Sequence, residues 1–134
     1  MNIKKTLPII TTDKLDEVRE YYVNHFGFKV TFEHPGNFLG LESKMSKEIA
    51  IAFGAPSNES QPYAGHGVTL CFQVDDVDTE CQRLAQAGLP IVVPLKDNPW
   101  GDRSFISVDP AGVSVYVYSP IEVSDEFRKY FKSP

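Results

Sequence analysis

The same order of predicted elements occurs twice along this chain of 134 residues. In the first half, residues 7–12 predict a short strand, and the helix after it ends near Gly27. Thr12 or Asp13 is predicted to cap that helix. Its apolar side chains recur at helical spacing, at Leu15, Val18 and Tyr22. Three strands are predicted next, at residues 28–32, 38–42 and 49–53.

The second half repeats this βαβββ order after a segment rich in Ser, Asn, Pro and Gly, residues 56–67, which predicts a linker. A strand at residues 68–74 leads to a helix that Asp76 caps and Gly88 ends. The apolar positions of this helix are Val77, Cys81 and Leu84. Three more strands are predicted, at residues 91–93, 105–108 and 113–118.

These boundaries predict a single domain over residues 1–134. The first repeat covers about residues 5–55 and the second about residues 68–119, joined by the linker. The remaining tail, residues 120–134, includes a predicted short amphipathic helix at about residues 122–131.

The sole Trp of the chain, Trp100, lies on a predicted loop marked by Pro99 and Gly101. The strand that follows is reversed by the sequence Asp-Pro-Ala-Gly at residues 109–112, and residues 113–118 return with strict alternation. This pattern predicts a hairpin that has an aromatic loop at its mouth, free to close over a ligand.

Composition and charge exclude several classes of partner. Hydrophobic residues make up 42% of the chain, enough for a core, and no apolar run approaches the length of about 20 residues needed to span a bilayer. The net charge is −5, and no Lys/Arg cluster alternates with aromatic residues, so neither nucleic acid nor a membrane is expected as a partner. Cys71 and Cys81 lie outside any CxxC motif and no signal peptide is recognised, so the cytoplasm is the expected location.

The duplicated βαβββ order resembles the vicinal oxygen chelate superfamily, which includes glyoxalase I, extradiol dioxygenases and bleomycin-resistance proteins. The resemblance also rests on the run Phe-Gln-Val-Asp-Asp-Val-Asp at residues 72–78 and on the Asp-Pro-Ala-Gly turn, and it covers about residues 5–119. It implies an α+β fold in which two βαβββ repeats form a curved mixed sheet around a ligand cavity, with the helices outside. It also implies a homodimer.

Alternation along the strands then predicts which side chains face the cavity. If the valines of residues 113–117 pack under the helices, the intervening positions line the cavity: Ser114, Tyr116 and Tyr118. By the same logic the concave side of residues 68–74 consists of Thr69, Cys71 and Gln73.

Metal-dependent members of this superfamily hold a divalent ion with His and Glu side chains on the strands. The matching positions of this chain carry no such side chain: they are Thr6, Ala50 or Ala52, Thr69 and Tyr116. Of these side chains, only Tyr116 is a candidate metal ligand at neutral pH. The resemblance therefore implies neither a metal nor another cofactor for this chain.

The ligand-binding positions predicted for the chain are Trp100, Tyr116, Tyr118, Thr69, Cys71, Gln73, Ser114 and Arg103. The aromatic side chains either grip a ligand or fill the cavity. Arg103 pairs either with an anionic group of the ligand or with Asp102 on the surface, and the surface pair is favoured. Cys71 is interpreted as a small apolar side chain, and no catalytic residue is assigned.

The missing His and Glu ligands and the aromatic positions of the predicted cavity favour a metal-independent protein that binds an aromatic or amphipathic small molecule. Within the superfamily, the chain most resembles the bleomycin-resistance-like group. A metal-dependent lyase or isomerase of the glyoxalase type, or a dioxygenase, is the first alternative. An interaction module without a small ligand, whose aromatic side chains are only core, is the second.

Overall fold

Each predicted repeat forms a four-stranded sheet with the same strand order. The structure is a computed structural model and describes residues 1–45 and 47–132. The chain divides into two compact units. Unit 1 comprises Met1–His66 and Asp109–Gly112, and unit 2 comprises Gly67–Val108 and the described residues from Val113 onward.

Unit 1 contains one helical segment and one mixed sheet. The α-helix α1 continues directly into a π-helical turn, and the sheet has the order β1-β4-β3-β2, in which β1 is parallel to β4 and the other pairs are antiparallel. The elements in chain order are β1 (Ile9–Thr11), α1 (Leu15–Glu20), the π-helical turn (Tyr21–His25), β2 (Lys29–His34), β3 (Phe38–Glu42) and β4 (Ile51–Gly54).

Unit 2 repeats this topology, with the order β5-β8-β7-β6 and the parallel pair β5 and β8. Its elements are β5 (Thr69–Gln73), α2 (Val77–Gln86), β6 (Ile91–Asn98), β7 (Asp102–Val108), β8 (Ser114–Pro120) and α3 (Asp125–Arg128). The predicted α+β fold of two βαβββ repeats is therefore confirmed.

Alternation along β8 separates the core of unit 2 from an accessible face. Val115 and Val117 are fully buried, and α2 packs its own buried side chains, Val77 and Leu84, in the same unit. The β5–β8 register then brings the opposite-facing residues together in pairs, which are Thr69 with Ser114, Cys71 with Tyr116, and Gln73 with Tyr118. The prediction that these six side chains share one face is confirmed.

Several element boundaries differ from the predicted ones. Neither Thr12 nor Asp13 caps α1, which begins at Leu15 after Lys14, so that prediction is wrong. Thr12 instead accepts a hydrogen bond from the Lys14 amide at 3.1 Å, a local turn that precedes the helix. The Asp76 cap is confirmed, because its carboxylate accepts from the Thr79 amide at 3.2 Å.

In the tail, the helix is shorter than predicted, and α3 spans only Asp125–Arg128. Over the described part of the chain, no helix is long and apolar enough to cross a membrane.

A buried tyrosine and a buried carboxylate join two segments of unit 1 that are far apart in sequence. The Tyr22 hydroxyl donates to Asp109 at 2.5 Å, and the Ala111 amide donates to the second oxygen of the same carboxylate at 2.8 Å. Burial, together with the neighbouring Asp109 charge, raises the pKa of Tyr22 far above its ordinary value. The phenol is therefore a stable donor to this carboxylate throughout the neutral pH range.

We expect Tyr22→Phe to lower the free energy of unfolding by about 1.5–3 kcal/mol, because a buried carboxylate loses a charge-assisted hydrogen bond. Urea denaturation measures this. Tyr63→Phe is the matched control: Tyr63 is half-buried in unit 1, and its hydroxyl has no hydrogen-bond partner within the described residues. Equal losses for the two variants would contradict the assignment.

The same pair predicts a pH dependence. Because the pKa of Tyr22 is raised in the folded chain, its contribution to stability is complete below the ordinary tyrosine pKa of 10.0 and is lost as the pH rises above it. The difference in unfolding free energy between the wild type and Tyr22→Phe should therefore shrink in alkaline solution.

Candidate ligand-binding site

The loop that carries Trp100 is a tight turn between β6 and β7. Asn98 and Asp102 are paired residues of the two strands, and the Gly101 amide donates to the Asn98 carbonyl oxygen at 3.1 Å. Asn, Pro and Gly at the first, second and fourth positions are typical of such a turn. The predicted loop is therefore a short hairpin turn, because β6 extends to Asn98 and β7 begins at Asp102.

The Asp102 carboxylate is the centre of a hydrogen-bond network in unit 2. It accepts from the Asn98 side-chain amide at 2.8 Å, from the Trp100 indole at 3.1 Å, and from the Tyr116 hydroxyl at 2.8 and 2.9 Å. Asp102 itself is only 9% exposed. A buried carboxylate needs such donors, since its oxygens have lost contact with water. The network thus fixes the orientation of two aromatic side chains.

Two groups near the carboxylate have shifted acidities. Burial, and secondarily the Asp102 charge, raises the pKa of the Cys71 thiol. Burial also raises the pKa of Tyr116; the hydrogen bond to Asp102 adds to this effect and the one to Ser104 opposes it. Both groups are therefore neutral at physiological pH, and the phenol remains a hydrogen-bond donor.

An open pocket of about 510 Å³ lies beside this network. Aromatic side chains form much of its wall, and the Tyr116 and Tyr118 ring centroids are 5.9 Å apart. Among the described lining residues, Asp102 alone carries a formal charge. The lining residues are Cys71, Trp100, Gly101, Asp102, Tyr116 and Tyr118.

The structure brings half of the predicted site residues together. Four of the eight predicted ligand-binding residues line this pocket: Trp100, Tyr116, Tyr118 and Cys71. Another three share the same strand face but lie outside the lining: Thr69, Gln73 and Ser114. Among these, Gln73 contacts a residue of the lining, because its side-chain oxygen accepts a hydrogen bond from the Tyr118 hydroxyl at 3.4 Å.

Arg103 lies outside the pocket lining and is held by two other carboxylates. Its guanidinium donates to Asp78 at 2.7 and 3.3 Å and to Asp97 at 2.9 Å. The predicted surface pair between Arg103 and Asp102 is therefore wrong. Asp102 and Arg103 are adjacent on β7, and adjacent residues of a strand direct their side chains to opposite faces of the sheet.

Sequence analysis missed the roles of Asn98 and Asp102. A signal was present, because a tight turn over the three residues between them makes the two a cross-strand pair. Two polar side chains at the same end of a hairpin are close enough to form hydrogen bonds with each other and with the indole between them.

The segment after β8, also missed, packs against the Trp100 turn. The Ile121 amide donates to the Gly101 carbonyl oxygen at 2.8 Å, and the Ser124 amide donates to the Pro99 carbonyl oxygen at 3.0 Å. The Phe127 ring lies beside the indole, with 6.3 Å between the ring centroids. The tail therefore supports the turn from the side of α3.

The residues at the expected metal positions do not fit a metal ion. Ala52 is fully buried and has no donor atom, Thr69 has only a hydroxyl, and the Tyr116 hydroxyl donates its proton to Asp102. Within residues 1–45 and 47–132, no group of three or more His, Cys, Asp or Glu side chains is arranged to hold a metal. Divalent ions of this class require such donors.

Comparison with known proteins agrees with the fold. The model of the glyoxalase/bleomycin resistance protein/dioxygenase superfamily matches residues 3–117, and the chain belongs to this superfamily. An uncharacterized protein of Mycobacterium bovis is 27% identical over 123 residues, which cover 84% of this chain and 81% of the relative.

Solved structures share the fold at low sequence identity. The antibiotic-binding protein TnmS3 from Streptomyces has a TM-score of 0.70 and 24% identity, covering 90% of this chain and 98% of its own. A lactoylglutathione lyase from Agrobacterium tumefaciens has a TM-score of 0.69 and 23% identity, covering 89% of this chain and 96% of its own. Both a binding protein and an enzyme therefore have this fold.

We expect Gly101→Ala to destabilise the Trp100 turn. Gly101 has a φ of +112°, and an added Cβ would lie 2.7 Å from Cγ2 of Val123, a branched side chain with little freedom to move. The variant should lose about 2 kcal/mol or more of unfolding free energy. Gly88→Ala is the control, since Gly88 also has a positive φ, +81°, but its Cβ would meet nothing within 4 Å.

Urea denaturation of both variants tests this. Gly88→Ala should lose about 1 kcal/mol through backbone strain alone. If Gly101→Ala were no less stable than Gly88→Ala, the close packing of the tail on the turn would be refuted.

Proposed function

We propose that this chain is a metal-independent small-molecule-binding protein. Its ligand is a planar aromatic or amphipathic compound that contacts Trp100, Tyr116 and Tyr118. The observation that carries this proposal is the Asp102 network, which holds the indole and one phenol in the wall of an open pocket before any ligand arrives. Aromatic walls with a few fixed polar groups are typical of small-molecule sites.

The chemistry of the pocket supports binding over catalysis. The pKa of Cys71 is raised, which disfavours the thiolate that a nucleophile needs. Tyr116 is a donor to a buried carboxylate, and its raised pKa makes it a poor general base. The structural likeness to an antibiotic-binding protein supports binding. Because a lyase has the same fold, the experiments below also test the metal-dependent enzyme alternative.

We expect Trp100→Ala to weaken the binding of planar aromatic compounds about fivefold, since a good aromatic contact contributes about 1 kcal/mol. Trp100 is the sole Trp, so quenching of its emission by quinoline, 2-naphthol or a flavonol reports entry into the pocket of the wild type. Calorimetry then compares the affinities of the wild type and the variant.

Phe32→Ala is the control for this experiment, because Phe32 is a similarly exposed aromatic side chain of unit 1. It should leave the affinity unchanged. A compound that binds equally well to the wild type and Trp100→Ala, and that does not change the wild-type emission, would show that Trp100 has only a structural role.

Elemental analysis tests the independence from metal. The purified protein should contain far less than one equivalent of zinc, nickel, iron or manganese, because the expected ligand positions are occupied by Thr, Ala and Tyr. A metal-dependent member of the superfamily purified in parallel is the positive control. One equivalent of tightly held metal that aromatic binding requires would favour the enzyme alternative.

We propose in addition that the protein is a cytoplasmic homodimer in which residues 1–134 act as one domain. Exposed aromatic side chains support the dimer, since Phe32, Tyr130 and Phe131 are each more than half exposed. Light scattering at micromolar concentration should give twice the 15.0 kDa mass of one chain. A species of 15.0 kDa would contradict the dimer without affecting the binding proposal.

A further inference from the structure

Within the described part of the chain, the charge of Asp102 has no counter-ion. All of its hydrogen-bond donors, the Asn98 amide, the Trp100 indole and the Tyr116 hydroxyl, are neutral. Over the described residues, Asp102 forms no ion pair with Lys, Arg or His. The adjacent cation, Arg103, is engaged by other carboxylates. Neutral donors stabilise an anion but leave its net charge in place.

This uncompensated charge lies in the wall of the pocket, where nearby water is limited. Asp102 is 9% exposed, and its interaction with a neighbouring charge is therefore screened less than at an open surface. Its influence on the lining is visible at Cys71, whose pKa is raised by burial and also by Asp102. Asp102 therefore contributes a negative charge to the pocket wall.

The aromatic walls add to the same preference. The faces of Trp and Tyr rings attract cations through their quadrupoles, and Trp does so most strongly. Trp100 and Tyr116 also donate hydrogen bonds to the Asp102 anion, which polarises the two side chains toward greater negative charge. A carboxylate and aromatic side chains, all of which attract cations, thus line a single pocket.

We propose that this pocket selects planar aromatic cations, such as quaternised or protonated nitrogen heterocycles, and that Asp102 determines this specificity. The inference rests on the proposed small-molecule-binding function and narrows the ligand class. An aromatic anion meets no counter-charge there, because no Lys, Arg or His is among the described residues that line the pocket. Asp102 acts through its charge and through the orientation of Trp100 and Tyr116.

A pair of ligands with nearly the same shape tests the role of charge. N-methylquinolinium carries a permanent positive charge, whereas quinoline is uncharged in mildly alkaline buffer. The wild type should bind N-methylquinolinium about tenfold more tightly, as measured by calorimetry and by quenching of Trp100. Added salt should reduce this preference, because the attraction is between charges.

Asp102→Asn should reduce the preference to about twofold or less. The control is Asp75→Asn, which removes an equal charge from an exposed position of unit 2 and should retain the preference. Because Asp102→Asn also alters the hydrogen-bond network, the salt dependence of the wild type provides a second test that needs no variant.

The outcomes distinguish a failure of the cation preference from a failure of the aromatic binding site. Equal affinity of the wild type for quinoline and N-methylquinolinium would overturn the cation preference and leave the aromatic binding site intact. A tenfold preference that persists in Asp102→Asn, or that salt does not change, would overturn the role of Asp102. If neither compound bound at millimolar concentration, the aromatic binding proposal and the cation preference would both fail.

Discussion

A single carboxylate organises the accessible end of unit 2. Asp102 accepts hydrogen bonds from a strand end, from the turn and from β8, so the positions of Asn98, Trp100 and Tyr116 depend on one group. The tail supports the turn from its other side through Ile121 and Ser124. These contacts are all between groups of the protein itself, and they restrict the side chains of the pocket wall. Such restriction lowers the entropic cost of the binding that we propose.

The elements that sequence predicted well are those fixed by local periodicity. Alternation along β8 identified the buried valines and the face that Tyr116 and Tyr118 share, and the Asp76 cap followed from its position before an apolar helix. The Asp102 network depends instead on the register between β7 and β8, which brings together side chains separated by 14 residues. The pairing of Arg103 also depends on a long-range contact, since its partner Asp78 is on α2 and 25 residues away in sequence.

The position at which the superfamily resemblance expects a metal-binding Glu is occupied by Tyr116. Its hydroxyl donates to Asp102, and its ring is part of the pocket wall. In place of a metal ligand, this position therefore has a neutral hydrogen-bond donor and an aromatic surface. A Glu at this position would bind a metal ion, whereas the Tyr116 ring is suited to contact flat, polarizable or cationic groups. The fold accommodates either side chain because this position lies on the accessible face of β8, opposite the buried valines that form the core.

The proposed function depends on contact between the ligand and Trp100, which Asp102 holds in place. A proton–nitrogen correlation spectrum of nitrogen-labelled protein tests it directly, because the sole Trp gives one indole signal. A planar aromatic ligand should shift this signal together with the backbone amide signals of Cys71, Gly101 and Tyr116, in proportion to the fraction bound. An indole signal that does not move at saturation, while amides elsewhere in the chain shift, would contradict it.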